Sequence, residues 1–198
     1  MSKEEFIQTA KESGLINADF PEAVFINSFN LSQNKIRLLN KKKKEIRERL
    51  AQVLADFLRK KLLTERKKFS FKTVFSHSSK LEIMRQAKEA GYKVYLYFVS
   101  TEDAEINIYR VEVRRVKGGH DVNPEKIRKR YLRSLELLYE AAQLAYQAFF
   151  FDNSTDTTQQ DVFEPFAHFK VVKDKKEWDE LEESKVPDWF IKYYYGKI

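Results

Sequence analysis

The stretch KFSFKTVFSHSSKLEIMRQAKEAGYKVYLYFVS, residues 68–100, decides the fold class, because extended and helical patterns alternate along it. Its first part, KFSFKTVF at residues 68–75, alternates apolar and polar side chains in the way typical of a strand. Residues 78–91 have the apolar spacing of a helix that ends at a glycine. YKVYLYFVS, residues 92–100, predicts a second strand that is apolar enough to be buried on both faces of a sheet.

The same alternation continues toward the C-terminus. Residues 100–119 predict a helix that opens near Ser100 with a pattern like a capping box and ends at a pair of glycines. Residues 123–147 predict the longest helix of the chain, and AFFFDNS at 148–154 predicts a short buried strand. Strands that alternate with helices from residue 69 to residue 154 predict an α/β fold with a parallel sheet flanked by helices.

The pattern is less regular toward the N-terminus. Residues 3–13 predict a short amphipathic helix, Ala23–Phe29 a short strand and residues 31–44 a polar loop. A further helix is predicted from Lys42 to Leu63, because its apolar residues follow helical spacing. They form one stripe: Ile46, Leu50, Val53, Leu54, Phe57, Leu58 and Leu62.

The remaining segment is a C-terminal extension. Residues 155–166 predict a polar loop, and residues 167–198 predict a β-ribbon or edge strand followed by a short aromatic helix. A length of 198 residues fits one domain with a full core. We therefore expect a single domain, with an irregular N-terminal segment at 1–41, an α/β core at 42–154 and the extension at 155–198.

Composition excludes several classes of protein. The chain has no cysteine, which excludes a disulfide framework and cysteine-ligated zinc or iron–sulfur sites. The charged N-terminus lacks the apolar segment of a signal peptide, and no window approaches 18 apolar residues, so we expect a cytoplasmic protein that does not span a membrane. No set of His, Asp and Glu has the spacing of metal ligands, so no protein-only metal site is expected.

The net charge of +7 is unevenly distributed. Residues 35–68 hold 14 Lys and Arg against 4 Asp and Glu, and residues 110–133 hold 9 against 3. Such patches attract polyanions, including nucleic acid, nucleotides and phosphorylated small molecules. The alternative is that these are ordinary solvated helix faces.

Within the second patch, basic residues follow helical spacing on both predicted helices. The first helix has Arg110, Arg114 and Lys117, and the second has Lys126, Lys129, Arg130 and Arg133. Between them lies the flexible joint Gly118-Gly119-His120. Arginine binds phosphate oxygens in a bidentate manner, and glycines permit hinge motion or close approach, so the pattern suits a lid over phosphates. A helical hairpin with a solvated basic edge explains the same spacing.

A longer pattern of fixed spacing runs through this region. It has the form RVxxRVxxGGHxVPxxxIxxRYxRSLxLL and is followed by a strand ending FDNS. The chain matches it at Arg110-Val111, Arg114, Gly118-Gly119-His120, Val122, Ile127, Arg130-Tyr131, Arg133-Ser134-Leu135 and Phe151-Asp152-Asn153-Ser154. With the upstream FSFKTVFSHSSKLEIMRQAKEAGYKVYLYFVST, this part of the chain closely resembles the zeta-toxin-like family of P-loop kinases.

The resemblance implies an adenylate-kinase-like α/β fold that uses ATP and Mg²⁺. Characterised zeta toxins phosphorylate UDP-N-acetylglucosamine and are neutralised by a partner antitoxin, so a nucleotide or nucleotide-sugar and an antitoxin-like protein are the implied partners. The residues implied to line the lid and the phosphate path are Arg110, Arg114, His120, Arg130 and Arg133. The residues implied to lie near the acceptor substrate are Thr73, Ser76 and His77, and Asp152 is a further candidate on the substrate side.

Three further polar residues have competing interpretations. His77 and Asp152 each follow a predicted strand, where α/β folds place their sites, and Asp152 could equally form an Asx-type turn with the two residues after it. His168 lies between apolar residues of a predicted strand, which favours a structural role.

The chain departs from the family pattern at the phosphate loop. The only glycines are Gly14, Gly91, Gly118, Gly119 and Gly196, and no GxxxxGK[ST] is present. Lys72 stands where the family has Glu, and the letters Asn17-Ala18-Asp19 resemble a family motif but follow neither a phosphate loop nor a convincing strand. Since the phosphate loop supplies most of the charge stabilisation in phosphoryl transfer, we expect no ATP turnover by these residues alone.

Several hypotheses therefore remain. The chain could be an impaired zeta-toxin-like kinase domain, either truncated or diverged to a non-catalytic form, or a fragment with no retained activity. Alternatively, it could be a non-enzymatic module that binds an anionic partner, such as an acidic protein or nucleic acid. Nucleic acid is not favoured, because no recognition motif of a nucleic-acid-binding domain is present.

Overall fold

The computed structural model describes residues 2–32, 35–39, 44–155 and 164–198. They form two compact units, Met1–Phe71 and Lys72–Ile198. The single domain expected over the whole chain stays a prediction. No described helix has the length and apolar character needed to cross a membrane.

Three helices and a β-hairpin are formed by the residues that the structure describes in the first unit. In chain order these are α1 (Lys3–Glu12), α2 (Glu22–Ile26), β1 (Phe29–Ser32), β2 (Lys35–Leu38) and α3 (Lys44–Thr64). Helix α1 begins with a capping box between Ser2 and Glu5, and Gly14 follows it at φ 65°, as a helix-terminating glycine does. The core is aromatic: the Phe6 ring contacts the rings of Phe25, Phe29 and Phe57.

Helix α3 confirms the predicted apolar stripe, but the residues that are buried form a narrower stripe than the one predicted. Its buried residues are Ile46, Leu50, Val53 and Phe57. Leu58 is 48% exposed, because it lies beyond the width that the facing elements cover.

Two predictions for the N-terminal segment are wrong. Ala23–Phe29 is not a strand: α2 occupies most of it, beginning at Pro21 and Glu22 and burying Phe25 against the aromatic core. The polar residues that follow are not simply a loop, because β1 and β2 pair antiparallel, with Phe29 opposite Leu38. In both cases burial of phenylalanine side chains outweighs the local preference.

In the second unit, the described residues form five helices and a four-stranded sheet. Its elements are α4 (Ser79–Glu89), β3 (Tyr95–Ser100), α5 (Ala104–Val116), α6 (Pro124–Glu136), α7 (Leu138–Leu144), β4 (Gln147–Asp152), β5 (Ala167–Val172), β6 (Lys175–Trp178) and α8 (Asp188–Tyr193). Two short 3₁₀ turns lie at Glu183–Lys185 and Tyr195–Lys197. The β-ribbon and aromatic helix predicted for the C-terminal extension are confirmed, while the predicted loop at 155–166 lies mostly outside the described residues.

The sheet is mixed, with strand order β3-β4-β5-β6. β3 and β4 are parallel, with Tyr97 opposite Phe149, whereas β4–β5 and β5–β6 are antiparallel. An α/β fold with helices flanking the sheet is therefore present, but a parallel sheet of the P-loop kinase type is not confirmed.

Helices cover one face of this sheet. Its buried side chains are Leu96, Phe98, Ala148, Phe150 and Phe169. They share a core with α4, α7 and α8, to which Leu81, Leu138 and Phe190 contribute. On the other face Tyr95, Tyr97 and Val99 are exposed. The prediction that residues 92–100 are buried on both faces is wrong, because only alternate residues of β3 meet helices.

Three other predicted elements differ from the structure. KFSFKTVF forms neither helix nor strand, and Phe75 within it has φ 57°. The helix predicted at 123–147 is interrupted at Leu137, so α3 is the longest helix instead. Ser100 belongs to β3, and Asp103 caps α5 by accepting a hydrogen bond from the Glu105 backbone N–H.

Candidate functional site

A polar network joins the carboxyl ends of the parallel strands β3 and β4 to the helices around them. Its members, called the strand-end network here, are Thr101, Glu102, Asn107, Tyr131, Asp152, Ser154 and Trp189. The carboxyl ends of parallel strands are where α/β folds place their ligands, so this edge of the sheet is the natural candidate for a site.

Tyr131 fixes α6 to the end of β3. Its hydroxyl donates to the carbonyl oxygens of Thr101 and Glu102, at 2.8 and 2.9 Å. Burial, with the nearby carboxylates of Asp103 and Glu102, raises the pKa of Tyr131 to about 12. The phenol therefore stays protonated and serves as a donor that positions the helix.

Asp152 is fully engaged by donors of the chain itself. Its Oδ1 accepts from the Ser154 backbone N–H at 2.9 Å, and its Oδ2 accepts from Trp189 Nε1 at 2.8 Å. The first bond is the Asx-type turn that the sequence suggested as the alternative to a functional role. The second bond attaches α8 to the end of β4.

Glu102 makes a second attachment between the strand ends and α8. Its backbone N–H donates to Ser154 Oγ at 2.8 Å, and its Oε1 accepts from the Asp188 backbone N–H at 3.1 Å. Desolvation by burial raises the pKa of Glu102. The hydrogen bond from Asp188 acts in the opposite direction, and the negative charge of Asp152 acts in the same direction as burial. The two carboxylates thus hold the beginning of α8 beside the parallel strands.

The arginines of α5 hold loops of the chain. Arg110 donates to the carbonyl oxygens of Asn153 at 2.7 Å and Thr155 at 3.3 Å. Arg114 donates to the His120 carbonyl oxygen at 3.0 Å. Both side chains therefore organise backbone that a ligand would meet: the turn after β4 and the joint between α5 and α6.

The glycine pair allows this joint to fold back tightly. Gly118 has φ 83°, and the Gly119 backbone N–H donates to the Arg114 carbonyl oxygen at 2.8 Å. A Cβ at Gly119 would lie 2.5 Å from Arg114 Cγ and 2.8 Å from its carbonyl oxygen. The joint therefore requires glycine for close approach as well as for backbone conformation.

Helix α6 carries a row of cations with no partner on the described chain. This basic row consists of Lys126, Lys129, Arg130 and Arg133. Across residues 2–32, 35–39, 44–155 and 164–198, no side-chain hydrogen bond or ion pair engages any of the four. Arg128, by contrast, is bound to Glu105 and Glu125 at 2.7 and 2.6 Å and connects α6 to α5.

The basic row lies roughly opposite the buried side of α6. Leu135 is fully buried and Tyr131 is hydrogen-bonded to β3, and a helical turn of 3.6 residues places the row on the far side from Leu135. Lys126, Lys129 and Arg133 are accordingly exposed, and Arg130 is half-buried. Four positive charges therefore face solvent without compensation from described residues.

The residues predicted near an acceptor substrate lie before α4. Thr73 and His77 are exposed, and Ser76 is half-buried. His77 Nδ1 accepts a hydrogen bond from the Ser79 backbone N–H at 3.2 Å and lies 3.0 Å from Ser79 Oγ, so it caps the first turn of α4. No hydrogen bond or ion pair among the described residues connects these three side chains with the arginines of α5 and α6.

The sequence indicated Arg110 and the basic row as parts of one lid, and it gave no role to Tyr131 or Trp189. The Tyr131 ring packs against the core of the second unit. Its place in the sequence gives no indication that the hydroxyl reaches a strand end. Trp189 lies 37 positions from Asp152, and only the tertiary fold brings the two together.

The basic patch at residues 35–68 is paired in part. Ion pairs within the first unit involve four of its 14 cations: Lys44 with Glu48, Arg59 with Asp56, Lys60 with Glu12 and Asp56, and Lys61 with Glu65. These are ordinary surface pairs of a helix, whereas none of the four cations of the basic row on α6 is paired by a described residue.

His168 has a structural environment. Its Nδ1 lies 2.7 Å from Asp179 Oδ2 and its Nε2 lies 2.7 Å from the side-chain amide of Gln147. Its ring stacks on Phe149 with centroids 4.3 Å apart. Both ring nitrogens are thus occupied, in agreement with the structural role that the sequence favoured.

The basic row and the carboxylates of the described residues offer different groups to a ligand. The basic row consists of four cations that no described residue pairs, and charged groups of this kind bind phosphate oxygens. Among residues 2–32, 35–39, 44–155 and 164–198, no group of three or more His, Asp or Glu could hold a metal ion, and Asp152 is engaged by Ser154 and Trp189. The described side chains therefore form no cluster that would hold Mg²⁺ without the phosphates of a ligand.

Comparison with known proteins gives one partial match. An uncharacterized protein of Haemophilus influenzae (strain ATCC 51907 / DSM 11121 / KW20 / Rd) is 32% identical over 63 residues, which is 32% of this chain and 45% of that protein. The aligned part thus spans less than half of the relative. No family model matches the chain, and no solved structure matches it.

Proposed function

We propose that this chain binds the phosphate groups of a nucleotide or nucleotide-sugar through α5 and α6, as a zeta-toxin-like kinase domain with impaired phosphoryl transfer. The observation that carries the proposal is the basic row on α6, four cations that no described residue engages. A row of unpaired cations on one helix face is costly unless it attracts an anion or remains solvated. The resemblance of the sequence to the kinase lid supports the first outcome.

The contacts of the neighbouring residues hold the helix that carries the row. Tyr131 anchors α6 at the end of β3, and Arg110 holds the turn that follows β4. The row itself faces solvent on the side of α6 away from Tyr131, so phosphates would bind it on the outer face of an ordered helix. ATP is the nucleotide that the resemblance implies, and no metal-dependent step is part of the proposal.

The experiment measures binding of ATP and of UDP-N-acetylglucosamine, separately, by calorimetry at low salt and by the shift of melting temperature. A ligand that binds only the folded state raises the melting temperature in proportion to its saturation. We expect the double variant Arg130→Gln/Arg133→Gln to bind at least about tenfold more weakly, since two charge-assisted hydrogen bonds are lost. The matched control is Arg47→Gln, an exposed charge removal on α3.

Absence of any shift with millimolar ATP and UDP-N-acetylglucosamine would overturn the proposal. Equal loss of binding in Arg47→Gln and in the double variant would also overturn it, because the effect would then reflect net charge alone.

A second candidate function is favoured by the direction in which the basic row faces. The row lies opposite Leu135 and faces solvent, an arrangement that suits an extended polyanion or an acidic protein as well as an enclosed ligand. The discriminating measurement is binding of a 20-nucleotide single strand as a function of salt. If two cations of the row contact phosphates, replacing both of them should reduce the magnitude of the slope of log K against log salt by about 1.4.

A further inference from the structure

β3 is an edge strand whose composition does not protect it from pairing with another strand. It lies at the end of the sheet order, and no strand of the described residues pairs with its outer edge. Its sequence, YLYFVS, contains no charge, proline or glycine. Natural proteins protect exposed edges with charges, prolines, bulges or covering elements, because an unpaired edge is a template for another strand.

The hydrogen-bonding groups of β3 divide cleanly between the two edges. The Tyr146 and Gln147 backbone N–H groups donate to the Val94 carbonyl oxygen, and the Asn153 N–H donates to that of Ser100. Alternate residues of a parallel strand face its partner, so the even-numbered residues bond to β4. The N–H and C=O groups of Tyr95, Tyr97 and Val99 therefore point away from the sheet.

The exposed side chains of the same residues form the end of a ladder of rings. Tyr97 stacks on Phe149 with centroids 4.9 Å apart and planes 8° apart, and Phe149 stacks on His168. The ladder crosses three strands and ends at Tyr97, which is 63% exposed. Its outer ring face is directed past the edge of β3, where a further strand would place a side chain against it.

We infer that β3 pairs antiparallel with β3 of a second copy of this chain, centred on Tyr97, to form a two-fold symmetric dimer with a continuous eight-stranded sheet. In this register Tyr97 lies opposite Tyr97 of the second copy, Tyr95 opposite Val99, and Leu96 opposite Phe98. Residues that point their N–H and C=O outward then face each other, as hydrogen-bonded pairs of an antiparallel ladder require.

The charges that flank β3 fit this partner. Lys93 precedes the strand and is exposed, whereas Glu102 and Asp103 follow it. In the antiparallel register, Lys93 of each copy lies beside the Thr101–Asp103 turn of the other, so opposite charges meet twice by symmetry. The strand itself is uncharged, so the net charge of +7 is not concentrated at the contact.

The size of the contact sets its strength. A six-residue strand pair is a small interface, below the roughly 1,200 Å² of stable complexes, so we expect a dissociation constant on the order of 10–100 µM. The full chain should therefore change from monomer to dimer over this range in sedimentation velocity experiments.

Three variants test the register. Tyr97→Lys places like charges directly opposite each other and should raise the dissociation constant at least about tenfold. Val99→Pro removes one outward N–H at an edge position that tolerates proline, and it should have a similar effect. The control Tyr109→Lys makes the same change of charge at a tyrosine of α5 that is 65% exposed, and it should leave the dimer intact.

A cross-link gives an independent readout of the same pairing. The chain has no cysteine, so Tyr97→Cys introduces one thiol per copy. Opposed residues of a hydrogen-bonded pair have Cα atoms about 5.5 Å apart, within the range of a disulfide. We expect mild oxidation to join two copies of Tyr97→Cys and to leave Tyr109→Cys mostly monomeric.

The inference is overturned if the chain remains monomeric at 1 mM-scale concentrations. A dimer that persists in both Tyr97→Lys and Val99→Pro would overturn it too, because the interface would then lie elsewhere. If the chain is monomeric alone but binds another protein through β3, the second copy is not the partner, and the inference of a dimer is wrong.

Discussion

The hydroxyl oxygen of Tyr131 lies 2.8 Å from the carbonyl oxygen of Thr101, and this contact connects the helix that carries the basic row to the end of a parallel strand. One side chain thereby determines where the four cations of the basic row, unpaired by any described residue, lie relative to the sheet. The phenol acts as a donor in these contacts, because both of its partners are carbonyl oxygens, which only accept.

Removal of this hydroxyl should loosen α6. We expect Tyr131→Phe to lower the free energy of unfolding by about 1–2 kcal/mol, because the carbonyl oxygens of buried Thr101 and of Glu102 lose their donor. Urea denaturation measures the loss, and hydrogen exchange of α6 amides should accelerate. Tyr109→Phe is the control, since Tyr109 is 65% exposed on α5. Equal stability of the two variants would show that the Tyr131 hydroxyl does not hold the helix.

Asp152 should behave as a structural residue. Asp152→Ala leaves the Trp189 indole N–H and the Ser154 backbone N–H without their acceptor, so we expect a loss of about 1–3 kcal/mol in the free energy of unfolding. The fluorescence of Trp189 should also change as α8 detaches. Glu89→Ala, an exposed carboxylate at the end of α4, serves as the control. An Asp152→Ala variant as stable as this control would contradict the assignment.

The joint between α5 and α6 should not tolerate a methyl group at Gly119. A Cβ there meets Arg114 Cγ at 2.5 Å, and we expect Gly119→Ala to cost about 1–3 kcal/mol of stability through overpacking. Gly196→Ala is a matched control, because its Cβ would meet only an ordinary contact at 3.6 Å. If thermal denaturation gives the same midpoint for both variants, the close approach of Gly119 to Arg114 is not required.

Lys176 should give stability a distinctive pH dependence. Burial, with repulsion from Lys88, lowers the pKa of Lys176 to about 8. Its ammonium lies 2.8 Å from Gln143 Oε1 and 4.7 Å from the centre of the Phe169 ring. Since the folded pKa is below the unfolded one, the unfolded state binds more protons between pH 8 and about 10.5, and stability should rise with pH over that window.

The test compares Lys176→Met with Lys175→Met, its exposed neighbour on β6. The rise in the free energy of unfolding above pH 8 should be smaller in Lys176→Met than in the parent chain, while Lys175→Met should retain it. An identical slope in all three proteins would show that Lys176 titrates normally in the folded state.

The sequence predicted the elements whose periodicity is set by a buried face. The α3 stripe and α4 were identified because burial on one side imposes regular spacing on the residues, and β3 and β4 were identified from their short apolar runs. Elements fixed by distant partners were missed. Phe25 lies in a helix because the helix buries its ring in the aromatic core of the first unit. Nothing in residues 23–29 indicates that this core exists.

The candidate site divides in the same way. The basic row was predictable from the spacing of Lys126, Lys129, Arg130 and Arg133, which is a property of one helix. The hydrogen bond from Trp189 to Asp152 could not be predicted in this way, because it depends on how a C-terminal helix crosses the strand ends. The antiparallel addition of β5 and β6 to a parallel pair likewise reflects which edge of β4 remained available.

The position of α8 has a consequence for synthesis of the protein on the ribosome. Trp189, Phe190 and Tyr194 complete the core of the second unit, and the Asp188 backbone N–H bonds to a residue 86 positions earlier. A nascent chain therefore leaves part of the apolar face of its sheet uncovered until residues 188–194 leave the exit tunnel. During that interval the surface around Phe98 and Phe150 lacks the cover of α8, and transiently exposed apolar surface of this kind favours aggregation.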